Sequence, residues 1–395
     1  MSKLKVVVVG GGFSGISFIN RLSKYDIFDI TLVSDKTYFE YYPGIYRILN
    51  DKNPFELFIK LKFFLKRDIR FIKGLASQIV KEEKKVILES KVSVDYDILV
   101  ISSGSNANDF GIEGVLKYAY FPSSLIDMME ARNSLLEDIQ SHIISQNKSP
   151  YNIVIVGGGV TGIEVSGEVS NLLDTFSDNY GYDRDMLKVY ILQNSDTILS
   201  FLPEKAKKIV LKRLRKLKVN FIKNTSVLRV YKDTIKTSSG SINYSFLFWS
   251  AGVKTNDFVL NSRNFIFSNR NKVVVDENFE AEDNKDIYVI GDNAETKFSG
   301  LAQIAEQDGN FLAKFLISKY VDKNKVRGRN VLEYKPRLPV YVIPVGKNFG
   351  VLYFKNFVIS GFIPWVLRYL VDARFFFLHL KFKDFLSMTF EQKLR

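Results

Sequence analysis

Residues 5–15 read KVVVVGGGFSG, and residues 152–162 read NIVIVGGGVTG. Each stretch is a run of four β-branched apolar residues that enters a glycine turn in G-x-G-x-x-G spacing: Gly10, Gly12 and Gly15, then Gly157, Gly159 and Gly162. A helix-like segment follows each turn (ISFINRL, then IEVSGEV), and then another strand (DITLV, then LKVYIL). In that context the glycines acquire separate jobs. The first allows a tight turn, the second lets backbone approach a pyrophosphate, and the third lets helix and strand pack closely. The amides at the helix start then face the phosphates. One such pattern is weak evidence. Two complete strand–glycine–helix–strand units predict an α/β chain with two Rossmann-like dinucleotide-binding domains, the alternative being one working and one decayed copy.

Composition sets the limits. At 395 residues the chain is too long for one ordinary core, so two or three domains are expected. A net charge of +13 suits anionic lipid, acidic small molecules or nucleic acid. No nucleic-acid-binding signature is present, so lipid and dinucleotide lead and no nucleic-acid partner is expected. There is no cysteine, which excludes disulfides and thiolate chemistry, and only two histidines, His142 and His379. Redox chemistry on this chain therefore needs a bound organic cofactor. The N-terminus lacks a signal-peptide pattern, and no apolar run reaches the ~18 residues of a membrane span.

One feature departs from the dinucleotide pattern in both halves. The acidic residue expected for the ribose at the end of the second strand is replaced by Ser34, with Asp35 next to it, and by Gln193. Gln193 can bond a ribose hydroxyl and would not repel a 2′-phosphate, which leaves NADH against NADPH open.

Three further segments, YDILVISSGS (96–105), FLFWSAGV (246–253) and DIYVIGDNAE (286–295), complete a set that resembles the flavoprotein reductases with two dinucleotide-binding domains. The resemblance covers about residues 5–316. It implies FAD and NAD(P)H as cofactors and an FAD domain split by an inserted NAD domain. The expected division is 1–112 and 251–330 for FAD, 113–250 for NAD(P)H, and 331–395 for a C-terminal membrane-associating segment. It places Gly10, Gly12, Phe13, Ser14, Gly15, Ser34, Asp35, Ser103, Gly104, Gly291 and Asp292 at the flavin nucleotide. Tyr42 and Pro43, in YFEYYPGIYRI (38–48), and Ala302 and Gln303 fall by its ring. Gly157, Gly159, Val160, Thr161, Gly162, Gln193 and Gly252 fall at the nicotinamide nucleotide.

Without cysteine, disulfide and sulfide reductases drop out, leaving hydride transfer from nicotinamide to FAD and then to a non-thiol acceptor. The stretch LAQIAEQDGN (301–310) matches in full the A-Q-x-A-x-Q motif of type II NADH:quinone dehydrogenases. The resemblance implies that Gln303 and Gln307 lie at a quinone pocket, with Glu164 of the T-G-I-E run near the nicotinamide and flavin as the second catalytic candidate. The competing readings are a solvated amide face for the glutamines and a helix-dipole acid for Glu164, worth ~0.3–1 kcal/mol. Glu168 is expected to pack on the helix surface.

From about residue 331 bulky apolar residues mix with Arg368, Arg374, Lys381 and Lys383. Helices lying in a bilayer interface fit this pattern, with cations toward an anionic lipid surface; an internal or homodimer-interface layer is the alternative. LRYLVDAR (367–374) resembles the type II tail, which puts Arg368 by the quinone. DKNKVRGRN (322–330) reads as an exposed connector. The sequence thus predicts a monotopic FAD-dependent NAD(P)H:quinone oxidoreductase, peripheral on the cytoplasmic face of the cell membrane, with membrane quinone as acceptor. A soluble reductase of a ferredoxin-like protein and a nucleotide-sensing non-enzyme are the rivals.

Overall fold

The computed structural model describes residues 2–50, 58–65, 67, 69–145, 149–262, 264–321 and 333–380. The connector at 322–330 and the cations Lys381 and Lys383 lie outside the described residues.

Two parallel sheets organise the chain. The first has five strands, in the order Ile287–Val289, Ile98–Ile101, Leu4–Val9, Phe28–Ser34 and Arg70–Lys73. The second has four, in the order Val219–Ile222, Leu187–Leu192, Tyr151–Val156 and Phe246–Trp249. In each, the glycine-turn strand sits inside the sheet: Val8 pairs Leu32 and Val100, and Ile155 pairs Ile191 and Phe248. Those strands are continuous apolar runs because both their faces are covered, as a parallel sheet requires. Val6, Val8, Ile153 and Ile155 are all fully buried.

The two units repeat a second device. A three-stranded antiparallel sheet, spanning Ala76 to Asp95 in one and Val227 to Asn243 in the other, leads into the strand beside the glycine-turn strand. The first sheet's last strand, Ile287–Val289, comes after the whole second sheet in sequence, so the second unit is inserted into the first. Ser105–Ala107 pairs antiparallel with Val253–Thr255 at the two crossings.

The C-terminal region departs from the interfacial-helix expectation over its first part. Residues 341–361 form an antiparallel sheet of Tyr341–Pro344, Gly350–Phe354 and Phe357–Gly361, and FVIS is its edge strand. Alternating bulky residues and a tight turn at Lys355, with φ +53°, favour a hairpin there. One helix follows, Phe362–His379. The region bridges the units: Ile343, Val345 and Val351 join the core of the second, and Phe375 and Leu380 join the core of the first. Among the described residues no helix is long and apolar enough to cross a membrane.

Candidate functional site

The two glycine turns are built alike. Gly10 has φ +108° and Gly157 φ +113°, and a side chain at either would meet the carbonyl oxygen of Ser102 or Ser250, at 2.3 and 2.5 Å. Gly12 and Gly159 are the N-caps of helices Phe13–Leu22 and Val160–Tyr180. Neither helix start has a capping side chain or an acidic residue in its first turn, and nothing lies within 4 Å of a side-chain carbon built at either glycine. Amides at Ser14, Gly15, Thr161 and Gly162 therefore belong to helix starts open to a ligand. That geometry fits the pyrophosphate of a dinucleotide at each turn, since free N–H groups and the helix dipole both favour an anion. Val160 and Thr161 are half-buried beside this opening.

At the second strand ends, Ser34 is buried and its hydroxyl accepts from the Lys36 amide at 3.3 Å, while Asp35 is exposed. Gln193 uses its amide oxygen to hold the glycine turn, accepting from Gly158 N at 2.7 Å, and its NH2 donates to Ser195 Oγ at 2.9 Å.

Gly291 and Asp292 form a short turn after the first sheet's last strand. Asp292 Oδ2 accepts from Ser105 Oγ at 2.8 Å; its carbonyl accepts from Lys272 Nζ, which also donates to Ser299 Oγ at 2.6 Å. Ser103 Oγ accepts from Asn293 Nδ2 at 2.9 Å, and neighbouring Gly104 borders open space. Gly252 faces the Phe110 ring.

Sequence reasoning missed two residues here. A side chain at Gly309 would meet Ser14 O at 2.1 Å, so helix Ala302–Tyr320 crosses helix Phe13–Leu22 with backbones in contact. Asp308 is fully buried, accepts from Gly291 N at 3.2 Å and takes the Tyr334 hydroxyl on its other oxygen. Burial pushes its carboxyl up to about 7 despite both donors. The signal was present, because Asp and Gly side by side inside a helix are poor helix formers and need a tertiary reason.

Both glutamines of LAQIAEQDGN bond main chain. Gln303 accepts from Val340 N at 3.3 Å and donates to Val340 O at 3.1 Å, as a strand partner would. Gln307 accepts from Arg337 N at 2.8 Å and donates to Gln303 O at 3.0 Å. Both amides fasten the extended segment before the C-terminal sheet, each with its oxygen and one of its two N–H groups on backbone. Ala302 packs against the first core. Phe13 has its amide at the first helix start, while its ring lies 4.9 Å from that of Phe375 and 5.1 Å from that of Phe39, in an aromatic cluster that seats the terminal helix.

The remaining candidates converge where the loop Tyr42–Leu49 meets helix Val160–Tyr180 and the terminal helix. Arg368, expected among the lipid-facing cations, is buried instead: it donates to Asp372 and to the carbonyl of Pro43. A guanidinium at an inward helix position finds its counter-ion one turn away, so it has no need to reach a headgroup. Asp372 also takes Arg47 at 2.6 Å and the Tyr41 hydroxyl at 2.5 Å. Tyr42 is 44% exposed and donates to Glu40 at 2.8 Å. Glu164 is buried, and burial pushes its carboxyl up to about 8 even though Arg368 and Arg47 pull the other way. Glu168, one turn on, accepts from Asn50 Nδ2 at 2.6 Å and ties the loop to the helix.

A family model for the pyridine nucleotide-disulphide oxidoreductases matches residues 4–309, which include both glycine turns and the Gly291–Asp292 turn. The chain belongs to that family. Among pyridine nucleotide-disulphide oxidoreductase relatives, a probable NADH dehydrogenase of Dictyostelium discoideum is 26% identical over 92% of this chain and 83% of its own length. A type II NADH:quinone oxidoreductase of Staphylococcus saprophyticus is 24% identical and covered to 94% on both sides. The solved NDH2 of Plasmodium falciparum in complex with NADH superposes with a TM-score of 0.85 at 18% identity, over 98% of this chain and 97% of that one. The sulfide:quinone oxidoreductase of Aquifex aeolicus follows with 0.79 at 18% identity, over 95% and 91%. The family name notwithstanding, these 395 residues include no cysteine to form a dithiol.

Proposed function

We propose that the chain is an FAD-dependent NAD(P)H:quinone oxidoreductase of the type II kind, acting at a membrane surface. The observation that carries this reading is end-to-end likeness to a type II enzyme, 94% of both chains, on a chain without cysteine for disulfide or sulfide chemistry.

In this reading the first unit, about residues 1–112 and 251–330, holds FAD, and the inserted unit, about 113–250, holds the nicotinamide nucleotide. Bound FAD supplies a ring that accepts hydride from nicotinamide and hands two electrons to quinone. The protein's part is placement and charge. The helix starts at Gly12 and Gly159 bind the two pyrophosphates, with Phe13, Ser14, Gly15, Val160, Thr161 and Gly162 offering main-chain amides. Asp35 reaches the adenosine ribose of the first nucleotide, and Asp292, steadied by Ser105, bonds the sugar-like chain of the flavin. Gln193 leaves no carboxylate at the second ribose, so both NADH and NADPH are admitted.

Glu164, whose carboxyl stays protonated to about pH 8, holds a proton at neutral pH on one of its oxygens, beside two guanidiniums. Gln303 and Gln307 act by holding the 334–340 segment rather than by donating to quinone. The outward face of the terminal helix meets the lipid that delivers the quinone.

The test is anaerobic mixing of the FAD-loaded protein with NADH, following flavin absorbance, and then addition of a short-chain quinone. Bleaching followed by reoxidation is expected. Bleaching without reoxidation moves the acceptor to a protein, and absence of bleaching with NADH or NADPH removes the reading.

A further inference from the structure

Residues 109–112 read DFGI and close as a turn, with the Ile112 amide donating to Asp109 O at 3.0 Å. Both central residues have positive φ, Phe110 at +53° and Gly111 at +66°. That is the pattern of a type I′ turn, whose central positions suit Asn, Asp or Gly, because a larger side chain crowds its own backbone there. Gly111 meets the demand. Phe110 is a bulky residue in a conformation that costs stability. Burial does not offset that cost, since Phe110 is 57% exposed. A lone exposed Phe is ordinary. An exposed Phe held in the left-handed region points to a function.

The surroundings enforce the conformation. Phe110 N donates to the side-chain oxygen of Asn108 at 2.9 Å, and Asn108 is fixed in turn. Its carbonyl accepts from the indole N–H of buried Trp249 at 2.8 Å, and its amide donates to Gly252 O at 3.0 Å. The ring then rests against Gly252: a side-chain carbon built on that glycine would lie 3.2 Å from Phe110 Cζ and 3.6 Å from Cε2. Gly252 closes the short segment that leaves strand Phe246–Trp249, and this segment abuts the second glycine turn. A carbon built on Gly157 would meet Ser250 O at 2.5 Å and Ala251 N at 2.9 Å.

Sheet order tells which half of a dinucleotide passes there. Strand Leu187–Leu192, followed by Gln193, lies on one flank of the glycine-turn strand, and Phe246–Trp249 lies on the other. In a dinucleotide-binding fold the end of the second strand is the adenosine side. With the pyrophosphate over the helix start at Gly159, the other half of the molecule extends toward residues 250–252 and the Phe110 ring.

We propose that Phe110 is a wall of the nicotinamide half-site, its ring packing against the nicotinamide and its ribose in bound NAD(P)H. The inference rests on the reading of the inserted unit as the NAD(P)H site. It adds a binding residue from residues 1–112, the flavin side of the crossing, so both units grip the reductant. The 2′-phosphate belongs to the adenosine half, so the ring serves NADH and NADPH alike.

The experiment is calorimetric titration of the full, FAD-loaded chain with NAD+ and with NADP+, beside urea unfolding and the NADH dependence of anaerobic flavin bleaching. Phe110→Asn and Phe110→Gly both suit a positive φ, so their unfolding midpoints should rise above the parent's. Their affinity for each nucleotide should fall about tenfold, and the NADH concentration for half-maximal bleaching should rise in step. Phe110→Tyr should bind within about twofold of the parent. FAD content should match in all four proteins. Binding by the Asn and Gly variants as tight as the parent's overturns the inference and leaves the NAD(P)H reading standing. A fall in midpoint together with affinity makes the ring a packing residue and also overturns it. A parent that binds neither nucleotide and is not bleached removes the reading and the inference together.

Discussion

Asp372 of the terminal helix lies 2.6 Å from the guanidinium of Arg47, a residue of the loop Tyr42–Leu49 that packs on helix Val160–Tyr180. The same carboxylate serves Arg368 and Tyr41, so one acid pairs with a buried and a half-buried guanidinium and ties the terminal helix to the 41–47 segment. Asp372→Asn leaves those cations uncompensated. A loss of about 3–5 kcal/mol is expected in urea unfolding, and Arg47→Met combined with Asp372→Leu should cost less than the sum of the single changes. A loss near zero for Asp372→Asn would mean that water enters the cluster.

Protonation of two carboxyls should make stability fall with rising pH. Glu164 goes from 4.5 to about 8 on folding, and Asp308 from 3.8 to about 7. Because both folded values lie above the unfolded ones, folding takes up protons between them, and stability declines as pH rises through the window. Where the windows overlap, between about pH 5 and 7, these two groups contribute a negative slope on the order of 3 kcal/mol per pH unit. Glu164→Gln or Asp308→Asn should each remove about half of it in unfolding curves measured across that range. A slope unchanged in both variants would show that neither group is protonated at neutral pH.

Glycines of the same turn should respond differently. Gly12→Ala and Gly159→Ala meet no protein atom, so folding should be retained while FAD content falls in the first and NADH affinity in the second, by roughly 10- to 100-fold. Gly309→Ala, by contrast, drives a methyl into Ser14 O and should lower stability by more than about 2 kcal/mol. Retained FAD in Gly12→Ala, measured from the flavin absorbance of the purified protein, would place the phosphates elsewhere.

Gln303→Ala should loosen the 334–340 segment, at a cost of about 1–3 kcal/mol for the backbone groups left unpaired. The rate of flavin reduction by NADH should stay within about twofold of the parent, a shift of under 0.5 kcal/mol. A large rise in quinone KM with no stability change would instead assign the amide to the acceptor.

Much of this was legible in local pattern. Apolar β-branched runs ending in spaced glycines are read residue by residue, because strand burial and turn geometry are properties of neighbours in sequence. The resemblance carried by the segments around the second glycine unit likewise implied an inserted unit, and the missing cysteines argued against thiol chemistry. Tertiary structure alone decided the rest. Gln303 and Gln307 became backbone partners of residues 337 and 340, Arg368 was drawn inward by Asp372 and Pro43, and FVIS became an edge strand. Each outcome turns on a partner distant in sequence. Whether a polar group meets water, lipid, backbone or a counter-ion depends on which surfaces packing brings together, and a one-dimensional pattern does not carry that information.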